Sequence, residues 1–286
     1  MKIINLIEDT SKTPDYVQEH GLSFYIETPN HKLVVDTGSS DAFLENARRH
    51  NLDLSQVDTV ILTHGHAAHC GGVRTLLELA PNAKVYIRET AFGDFYNGEN
   101  VFNDGFHKDS ATFVGIEKEL AELPQVQLIS GDFVIDEELQ LFTNITEREL
   151  WPSCNQKLHR AIDETTSEQD DFSHEQFLVI SAEDLRVLFV GCCHSGIVNV
   201  MSAFEQRLGG APDLVIGGFH MMTQQYFGFS KEYLFLIDEI GRKLNEYPTR
   251  YYTCHCTGLM PYHRLKGQLG NKVSYLYSGE EIPLNQ

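Results

Sequence analysis

The sequence predicts an α+β protein in which β-sheets are covered by helices. Apolar segments near the N-terminus are separated by short polar turns, as in β-hairpins, whereas later apolar segments alternate with helical ones. The longest helix, predicted over Lys231–Glu246, carries its apolar residues on one face and is followed by Pro248, a common stop signal. With 286 residues, of which 42% are hydrophobic, the chain is expected to form a single domain spanning 1–286.

The individual elements follow from the local periodicity of apolar residues. The strands are predicted, in chain order, at Ile3–Ile7, Ser23–Glu27, Lys32–Val35, Thr59–Thr63, Lys84–Arg88, Val126–Ile129, Leu139–Thr143, Phe177–Ser181, Arg186–Val190, Asp213–Ile216, Arg250–Thr253 and Lys272–Tyr277. The helices are predicted at Ala42–His50, Gly72–Ala80, Ile197–Leu208, Lys231–Glu246 and Leu259–Lys266.

Two segments lack a clear periodic pattern. Residues 92–121 are weakly periodic and rich in aromatic residues, which is typical either of a lid or substrate-binding insertion or of a surface loop anchored to the core. Thr165–Ser173 is polar and acidic and is predicted to be an exposed connection.

Composition and charge exclude several classes of function. The net charge of −19 is spread along the chain and would repel phosphate backbones, so nucleic acid is not an expected partner. No apolar run is long enough to cross a membrane, so no membrane partner is expected. Because Met1–Asn5 resembles a strand rather than a signal peptide, we expect a cytoplasmic protein with reduced thiols. Neither Cys192-Cys193 nor Cys254-x-Cys256 has zinc-knuckle spacing.

Three histidines lie within six positions directly after the apolar strand that ends at Thr63. His64 and His66 are two residues apart on an extended segment, which points both side chains to one side. His69 lies at a predicted helix start and is followed by two glycines that permit a tight turn. Neutral imidazoles converging on one point favour a divalent metal such as zinc, manganese or iron. The alternative is a histidine-rich surface loop, against which the preceding buried-type strand argues.

Three later segments also place a histidine at the carboxyl end of an apolar strand. His194 follows Leu185–Val190, His255 follows a strand ending at Thr253, and His220 follows Leu214–Ile216. Ligands collect outside the carboxyl ends of strands in α/β sheets, so the four segments predict one shared site. Taken alone, His220 could equally be a satisfied histidine at the rim of the core.

These segments resemble the metallo-β-lactamase superfamily. His64–His69 is similar to its metal-binding signature His-x-His-x-Asp-His, and Asp36–Gly38 matches its first motif. Gly191–Asn199, His255–Gly258 and His174–Ile180 look like motifs of the subgroup that contains the archaeal 7,8-dihydropterin-6-methyl-4-(β-D-ribofuranosyl)aminobenzene-5′-phosphate synthases. The resemblance implies an αββα four-layer sandwich, in which two sheets face each other, helices lie outside and the metal site lies at one edge.

The resemblance also implies two sets of metal ligands. His64, His66 and His194 would form one metal position. His69 and His255 would serve the second, together with an acidic residue at the position that Ala68 occupies.

The roles of two further residues are implied by the same resemblance. Asp36 would hold the histidine loop through hydrogen bonds, although it could also be a plain turn residue. His220 would lie near the site, where it could ligate metal, orient substrate or donate a proton. The cofactor would be one or two divalent ions, with zinc as the first choice and manganese, iron or magnesium as alternatives.

Ala68 departs from the family pattern, because a methyl group can neither hold a metal nor orient a water molecule. One zinc with three neutral ligands still lowers the pKa of water to about 7, so hydrolysis with a single metal remains chemically feasible. Three explanations compete. The alanine could be engineered to disable turnover. It could be natural, with a mononuclear site or a replacement ligand such as Cys70. Finally, the protein could have lost its catalytic activity and bind only a ligand.

The function expected first is metal-dependent hydrolysis of a small, anionic ester, lactone, thioester or phosphoester. Water would attack, and the cation would stabilise the developing oxyanion. One alternative is a transferase that condenses a pterin diphosphate with an aryl ribosyl phosphate, as the resemblance implies. Another is a metal- or metabolite-binding protein without catalytic activity.

Overall fold

The computed structural model describes residues 1–98, 111–222 and 230–284. Its strands are β1 (Lys2–Ile7), β2 (Ser23–Glu27), β3 (Lys32–Val35), β4 (Thr59–Ile61), β5 (Lys84–Arg88), β6 (Phe95–Asn97), β7 (Thr112–Phe113), β8 (Val126–Ile129), β9 (Phe133–Val134), β10 (Leu139–Thr143), β11 (Leu158–Ala161), β12 (Ser167–Gln169), β13 (Gln176–Ala182), β14 (Leu185–Phe189), β15 (Leu214–Gly217), β16 (Arg250–Thr253) and β17 (Val273–Tyr275). Its α-helices are α1 (Phe43–Arg49), α2 (Ala67–Cys70), α3 (Val73–Leu79), α4 (Ile197–Leu208), α5 (Lys231–Asn245) and α6 (Leu259–Leu269).

Two large sheets follow the same plan. The N-terminal sheet has the order β1-β2-β3-β4-β5-β8, in which β1, β2 and β3 are antiparallel and the later strands are parallel. The C-terminal sheet has the order β17-β16-β15-β14-β13-β10-β9. Here too the strands that come first in the chain, β9, β10, β13 and β14, pair antiparallel, whereas β14, β15, β16 and β17 pair parallel. The predicted hairpin with a short turn is confirmed for β2 and β3, whereas β1 pairs antiparallel with β2 across a longer connection between Ile7 and Ser23.

The sheets face each other across an apolar core. Phe24 of the N-terminal sheet and Phe189 of the C-terminal sheet meet edge to face, with ring centroids 5.5 Å apart. Helices α1 and α3 cover the outer face of the first sheet, whereas α4, α5 and α6 cover the outer face of the second. This arrangement is the predicted αββα sandwich, and every layer buries the apolar face of the next.

Helix α5 shows how local signals set these boundaries. The Ser230 hydroxyl accepts a hydrogen bond from the backbone N–H of Tyr233 (3.1 Å) at the helix start. The helix buries Tyr233, Ile237 and Ile240 and ends at Asn245, before Pro248. Within the described ranges, the helices are all too short or too polar to cross a bilayer.

A third, smaller sheet was not predicted. It has the order β12-β11-β6-β7, and all its neighbouring strands are antiparallel. The prediction that Thr165–Ser173 is an exposed connection was wrong, since this segment contains β12 and the buried residues Asp170 and Phe172. The polar composition of this segment suggested exposure to solvent. Asp170 is nevertheless buried, because its carboxylate accepts a hydrogen bond from the Phe172 backbone N–H (2.8 Å).

The aromatic segment 92–121 contributes two strands to this small sheet. Phe95, in β6, is buried and its ring lies 4.2 Å from that of His174, whereas Phe113, in β7, is exposed. Residues 99–110 lie outside the described residues. The lid or insertion role therefore stays a prediction.

A histidine joins the two large sheets at their periphery. His31 Nδ1 lies 2.8 Å from the Asp58 carboxylate, before β4, and Nε2 lies 2.7 Å from the Asp136 carboxylate, before β10. Both nitrogens donate only when the ring is protonated. Although partial burial lowers the pKa of His31, the two carboxylates outweigh it and raise this pKa above its ordinary value.

We expect His31→Gln to destabilise the fold by about 1 kcal/mol in mildly acidic solution, and by less in alkaline solution. The pKa of His31 is higher in the folded protein than in the unfolded chain. The bridge therefore contributes fully to the free energy of unfolding below the unfolded pKa of about 6.5, and this contribution is lost as pH rises through the pKa of the folded protein. Urea unfolding at about pH 6 and about pH 9 measures the difference. The exposed His263→Gln serves as control, and equal losses for His31→Gln at both pH values would contradict the bridge.

Candidate metal centre

Four strand ends deliver histidines to one cavity of about 840 Å³. His66 and His69 follow β4, while His194, His220 and His255 follow the neighbouring parallel strands β14, β15 and β16. All five line the cavity. The carboxyl ends of these strands meet at one edge of the sandwich, as the sequence predicted.

Asp36 fixes the first histidine loop. Its carboxylate accepts hydrogen bonds from the Thr63 backbone N–H (2.7 Å), the Thr63 hydroxyl (2.8 Å) and His69 Nδ1 (2.6 Å). Since the Thr63 hydroxyl proton is directed at Asp36, its oxygen accepts from His64 Nδ1 (3.0 Å). Both histidines therefore carry their proton on Nδ1 and keep a lone pair on Nε2. The same bond explains why β4 ends at Ile61 rather than at Thr63, whose N–H binds a side chain instead of a strand partner.

His194 and His255 are likewise oriented through hydrogen bonds of their Nδ1 atoms. His194 Nδ1 donates to the Asn155 side-chain oxygen (3.2 Å), and the Asn155 amide in turn donates to the His194 backbone oxygen (2.8 Å). Phe172 stacks on the His194 ring, with centroids 4.6 Å apart. His255 Nδ1 donates to the Asp9 carboxylate. Each Nε2 is again left free to donate a lone pair.

Buried glutamates hold the backbone of both later loops. Glu175 accepts hydrogen bonds from the backbone N–H groups of His194 (2.6 Å) and Ser195 (2.8 Å). Glu8 accepts from the backbone N–H of His255 (2.9 Å). Burial raises the pKa of Glu175 and raises that of Glu8 to about 7. Neither glutamate was given a role from the sequence: Glu175 entered only as part of the motif His174–Ile180, and nothing in the local pattern predicts a contact between Glu8 and a loop at the other end of the chain.

The histidine rings form two adjacent groups. Ring centroids are 4.7 Å apart for His64 and His66, 4.9 Å for His66 and His194, and 5.0 Å for His64 and His194. His69 and His255 are 5.1 Å apart. The structure thus brings together the members of both predicted ligand sets.

The free nitrogens fit a metal. The Nε2 atoms of His64, His66 and His194 are buried, and none has a hydrogen-bond partner among the residues that the structure describes. Orphaned buried nitrogens are rare in native structures and call for an unseen partner. Burial, together with the neighbouring imidazoles, lowers the pKa of each of these three histidines well below its ordinary value. The neutral, deprotonated form is the one that binds a cation.

Cys192 lies between the two histidine groups, and sequence reasoning did not assign it to the site. Its sulfur belongs to two sets of three donor atoms, His64–Cys192–His194 and His69–Cys192–His255. Within each set, the donor atoms lie within 4.8 Å of one another. The thiol also lies 3.1 Å from His69 Nε2, to which it donates. Cys70, suggested as a replacement ligand, instead donates its thiol proton to the backbone oxygen of His64 (3.4 Å). A signal for Cys192 existed, since it lies two residues before His194 at the same strand end.

A carboxylate also reaches the first group from an unexpected element. Asp170 Oδ2 lies 4.0 Å from His66 Nε2 and accepts a hydrogen bond from His174 Nε2 (3.1 Å). His174 Nδ1 accepts from the Gly65 backbone N–H (3.1 Å), so both of its nitrogens are occupied. His174 therefore positions Asp170 and the histidine loop.

Ala68 lies in α2 on the cavity wall and is half-buried. Its backbone oxygen accepts a hydrogen bond from the Leu22 N–H (3.2 Å), and its methyl group supplies no donor atom. The neighbouring second group consequently contains two imidazoles and a thiol, with no carboxylate from this position.

His220 lies at the site, as the sequence suggested. Its ring centroid is 4.0 Å from that of His194, and neither ring nitrogen has a hydrogen-bond partner among the described residues. Burial, reinforced by His255 and His69, lowers the pKa of His220 to about 3, so the ring is neutral. Its backbone has φ 47°, a left-handed conformation that is uncommon outside glycine and is often retained at functional sites.

Comparisons with known proteins agree with this fold. Residues 17–147 match the family model described as the metallo-beta-lactamase superfamily. The solved structure of Tm1679, described as a metal-dependent hydrolase of the beta-lactamase superfamily, superimposes with a TM-score of 0.79 at 25% identity and covers 100% of both chains.

Two relatives from Methanocaldococcus jannaschii span nearly the whole chain. MJ0448, described as uncharacterized, is 27% identical over 277 residues, which are 95% of this chain and 96% of the relative. The 7,8-dihydropterin-6-methyl-4-(beta-D-ribofuranosyl)-aminobenzene-5'-phosphate synthase is 24% identical over 300 residues, covering 99% of this chain and 96% of the relative. The match of residues 17–147, with the αββα sandwich and the histidines at its edge, shows a metallo-β-lactamase superfamily domain in this chain.

Proposed function

We propose that this protein is a metal-dependent hydrolase of a small anionic ester, thioester, lactone or phosphoester. The observation that carries the proposal is the packing of three buried histidine rings, those of His64, His66 and His194, whose centroids lie 4.7–5.0 Å apart and whose Nε2 atoms have no hydrogen-bond partner among the described residues. Structural histidines normally satisfy both ring nitrogens when buried, whereas these three keep one nitrogen unbonded. His69 and His255, beside Cys192, offer a second group of donors.

The donor set supports zinc ahead of magnesium. Imidazole and thiol donors suit zinc, whereas magnesium prefers oxygen ligands. When bound, the cation would polarise the substrate oxygen and activate water. The protein supplies the orientation: Asp36, Asp9 and Asn155 fix the histidine rings through their Nδ1 atoms.

The cavity wall supports an anionic substrate. His20 and Lys157 both line the cavity, and the His20 ring lies 5.0 Å from that of His255. A hydrogen bond to Asp9 raises the pKa of His20 above its ordinary value, so this exposed ring carries positive charge to higher pH. Because Asp9 balances the charge of His20 (3.0 Å), the attraction for an anion in this chain of net charge −19 would come mainly from the bound cation, with Lys157 on the same cavity wall.

Metal removal and replacement test the proposal. We expect the chelated protein to be inactive towards a panel of nitrophenyl esters, nitrophenyl phosphates, a glutathione thioester and a lactone. Turnover of at least one substrate should return in proportion to added zinc, manganese or cobalt, because each cation restores the missing chemistry at the same donors. Metal content per chain is measured on the same samples. Bound metal without turnover of any of these substrates would count against the hydrolase.

A second candidate is a transferase that condenses a pterin diphosphate with an aryl ribosyl phosphate. It is supported by the likeness to the archaeal synthase over 99% of the chain. The cavity of about 840 Å³ is also near the upper end of the roughly 300–1,000 Å³ typical of small-molecule sites, which leaves room for two reactants. Diphosphate release that requires both reactants would favour the transferase. Tight binding of a metabolite without turnover would favour a protein that no longer catalyses.

A further inference from the structure

We propose that Cys192, His220 and Cys256 form a third, sulfur-rich donor set in the cavity, which binds a thiophilic cation such as Zn²⁺ or Cd²⁺. The donor atoms of these three residues all lie within 4.8 Å of one another. The set is distinct from both histidine groups because it adds Cys256 and His220, while it shares the sulfur of Cys192 with them.

The His220 nitrogens are the free donors of this set, whereas the Cys192 thiol donates to His69 Nε2 (3.1 Å), a hydrogen bond that a bound cation must displace. Both His220 nitrogens are buried without a hydrogen-bond partner among the described residues. The Cys256 thiol makes a long contact of 3.5 Å with the Cys192 backbone oxygen. Both cysteines line the cavity, so a cation has access to their sulfurs.

The backbone around the set is rigid and shaped to admit sulfur. The backbone oxygen of Cys256 accepts hydrogen bonds from the N–H groups of Met221 (2.9 Å) and Met222 (2.7 Å), which fastens the His220 loop to the Cys256 loop. The Cys154 thiol donates to the His220 backbone oxygen (2.7 Å). A Cβ at Gly218 would lie 2.4 Å from Cys256 Sγ, so only glycine leaves room for the thiol there.

Charge favours a divalent cation in this set. The donors of the group formed by His64, His66 and His194 are neutral imidazoles, and the one carboxylate beside it, that of Asp170, compensates only part of the charge of a bound dication. Two thiolates neutralise it, and soft sulfur ligands select zinc, cadmium or similar ions over magnesium and calcium. Because the thiolate rather than the thiol binds a cation, metal binding must release both thiol protons into solvent.

Cobalt substitution reports the number of sulfur ligands. We expect the chelated protein, titrated anaerobically with Co²⁺ in a phosphine reductant, to develop sulfur-to-metal charge-transfer absorption in the near ultraviolet. Cys256→Ser should reduce this absorption to about half, because one thiolate ligand of two remains. His220→Gln should weaken Co²⁺ binding. Cys70→Ser is the control and should leave the absorption unchanged, since that thiol contacts the His64 backbone oxygen.

Alkylation of the wild-type protein gives a second measurement that does not depend on variant folding. Zn²⁺ should protect Cys192 and Cys256 together from a maleimide, as located by mass spectrometry. If Cys256→Ser leaves the absorption unchanged while Cys192→Ser abolishes it, sulfur enters only through Cys192 and the proposed set is overturned. Equal alkylation of Cys256 with and without Zn²⁺ would also overturn the proposed set. Neither readout requires turnover, so the hydrolase proposal can fail independently.

Discussion

Replacing His66 with alanine is expected to remove metal-dependent turnover. His66 Nε2 is buried, lacks a hydrogen-bond partner among the described residues and lies beside the rings of His64 and His194. Loss of a residue that merely orients a metal ligand weakens binding roughly 10- to 100-fold, so loss of the ligand itself should exceed about 100-fold. The affinity for zinc is measured by competition with a chromophoric chelator, and kcat/KM is measured on the best substrate of the panel.

The matched control for this prediction is His263→Ala. His263 is an exposed histidine of α6 outside the cavity, and its removal should leave metal affinity and turnover unchanged. The thermal midpoint of both variants is measured in the metal-free state, because alanine at position 66 also removes a buried ring that packs against Phe95 and His174. If His66→Ala binds zinc as tightly as His263→Ala does, then the His64–His66–His194 group is not a metal position.

Ala68→Asp is expected to raise the occupancy of a second metal ion. The second group already holds His69, His255 and Cys192, and a carboxylate from α2 would add an anionic donor on the same cavity wall. We expect the second equivalent of zinc or manganese to bind at least about tenfold more tightly, which corresponds to about 1.4 kcal/mol. Isothermal titration of the chelated protein measures both equivalents.

Ala67→Asp provides the control for added charge. Ala67 precedes Ala68 in α2 and also lines the cavity. Ala67→Asp therefore introduces the same negative charge one position away. Only Ala68→Asp should tighten the second equivalent. If the two variants bind metal alike, or if the wild type already binds two equivalents as tightly as Ala68→Asp, then Cys192 has fully replaced the carboxylate and our account of Ala68 is wrong.

Most elements of the sandwich were predictable because their signals are local. The strands β2, β3, β5, β8, β10 and β16 and the helix α4 have the predicted bounds. Alternating apolar residues and helical periodicity act over a few positions and do not depend on the rest of the chain. The small sheet was missed for the opposite reason, since β6 and β12 are short, polar in part and defined mainly by pairing with β11.

By itself, the sequence determined the sandwich and the strand ends from which His64, His66, His69, His194, His220 and His255 project. It also determined that position 68 offers no carboxylate. Only the tertiary structure decided which atoms accompany those histidines. Cys192 and Cys256 are 64 positions apart, and Asp9 meets His255 across 246 positions. Cys192 and Cys256 come together only when β14, β15 and β16 pair in one sheet, and Asp9 reaches His255 only when the two sheets pack, so no local pattern encodes either contact.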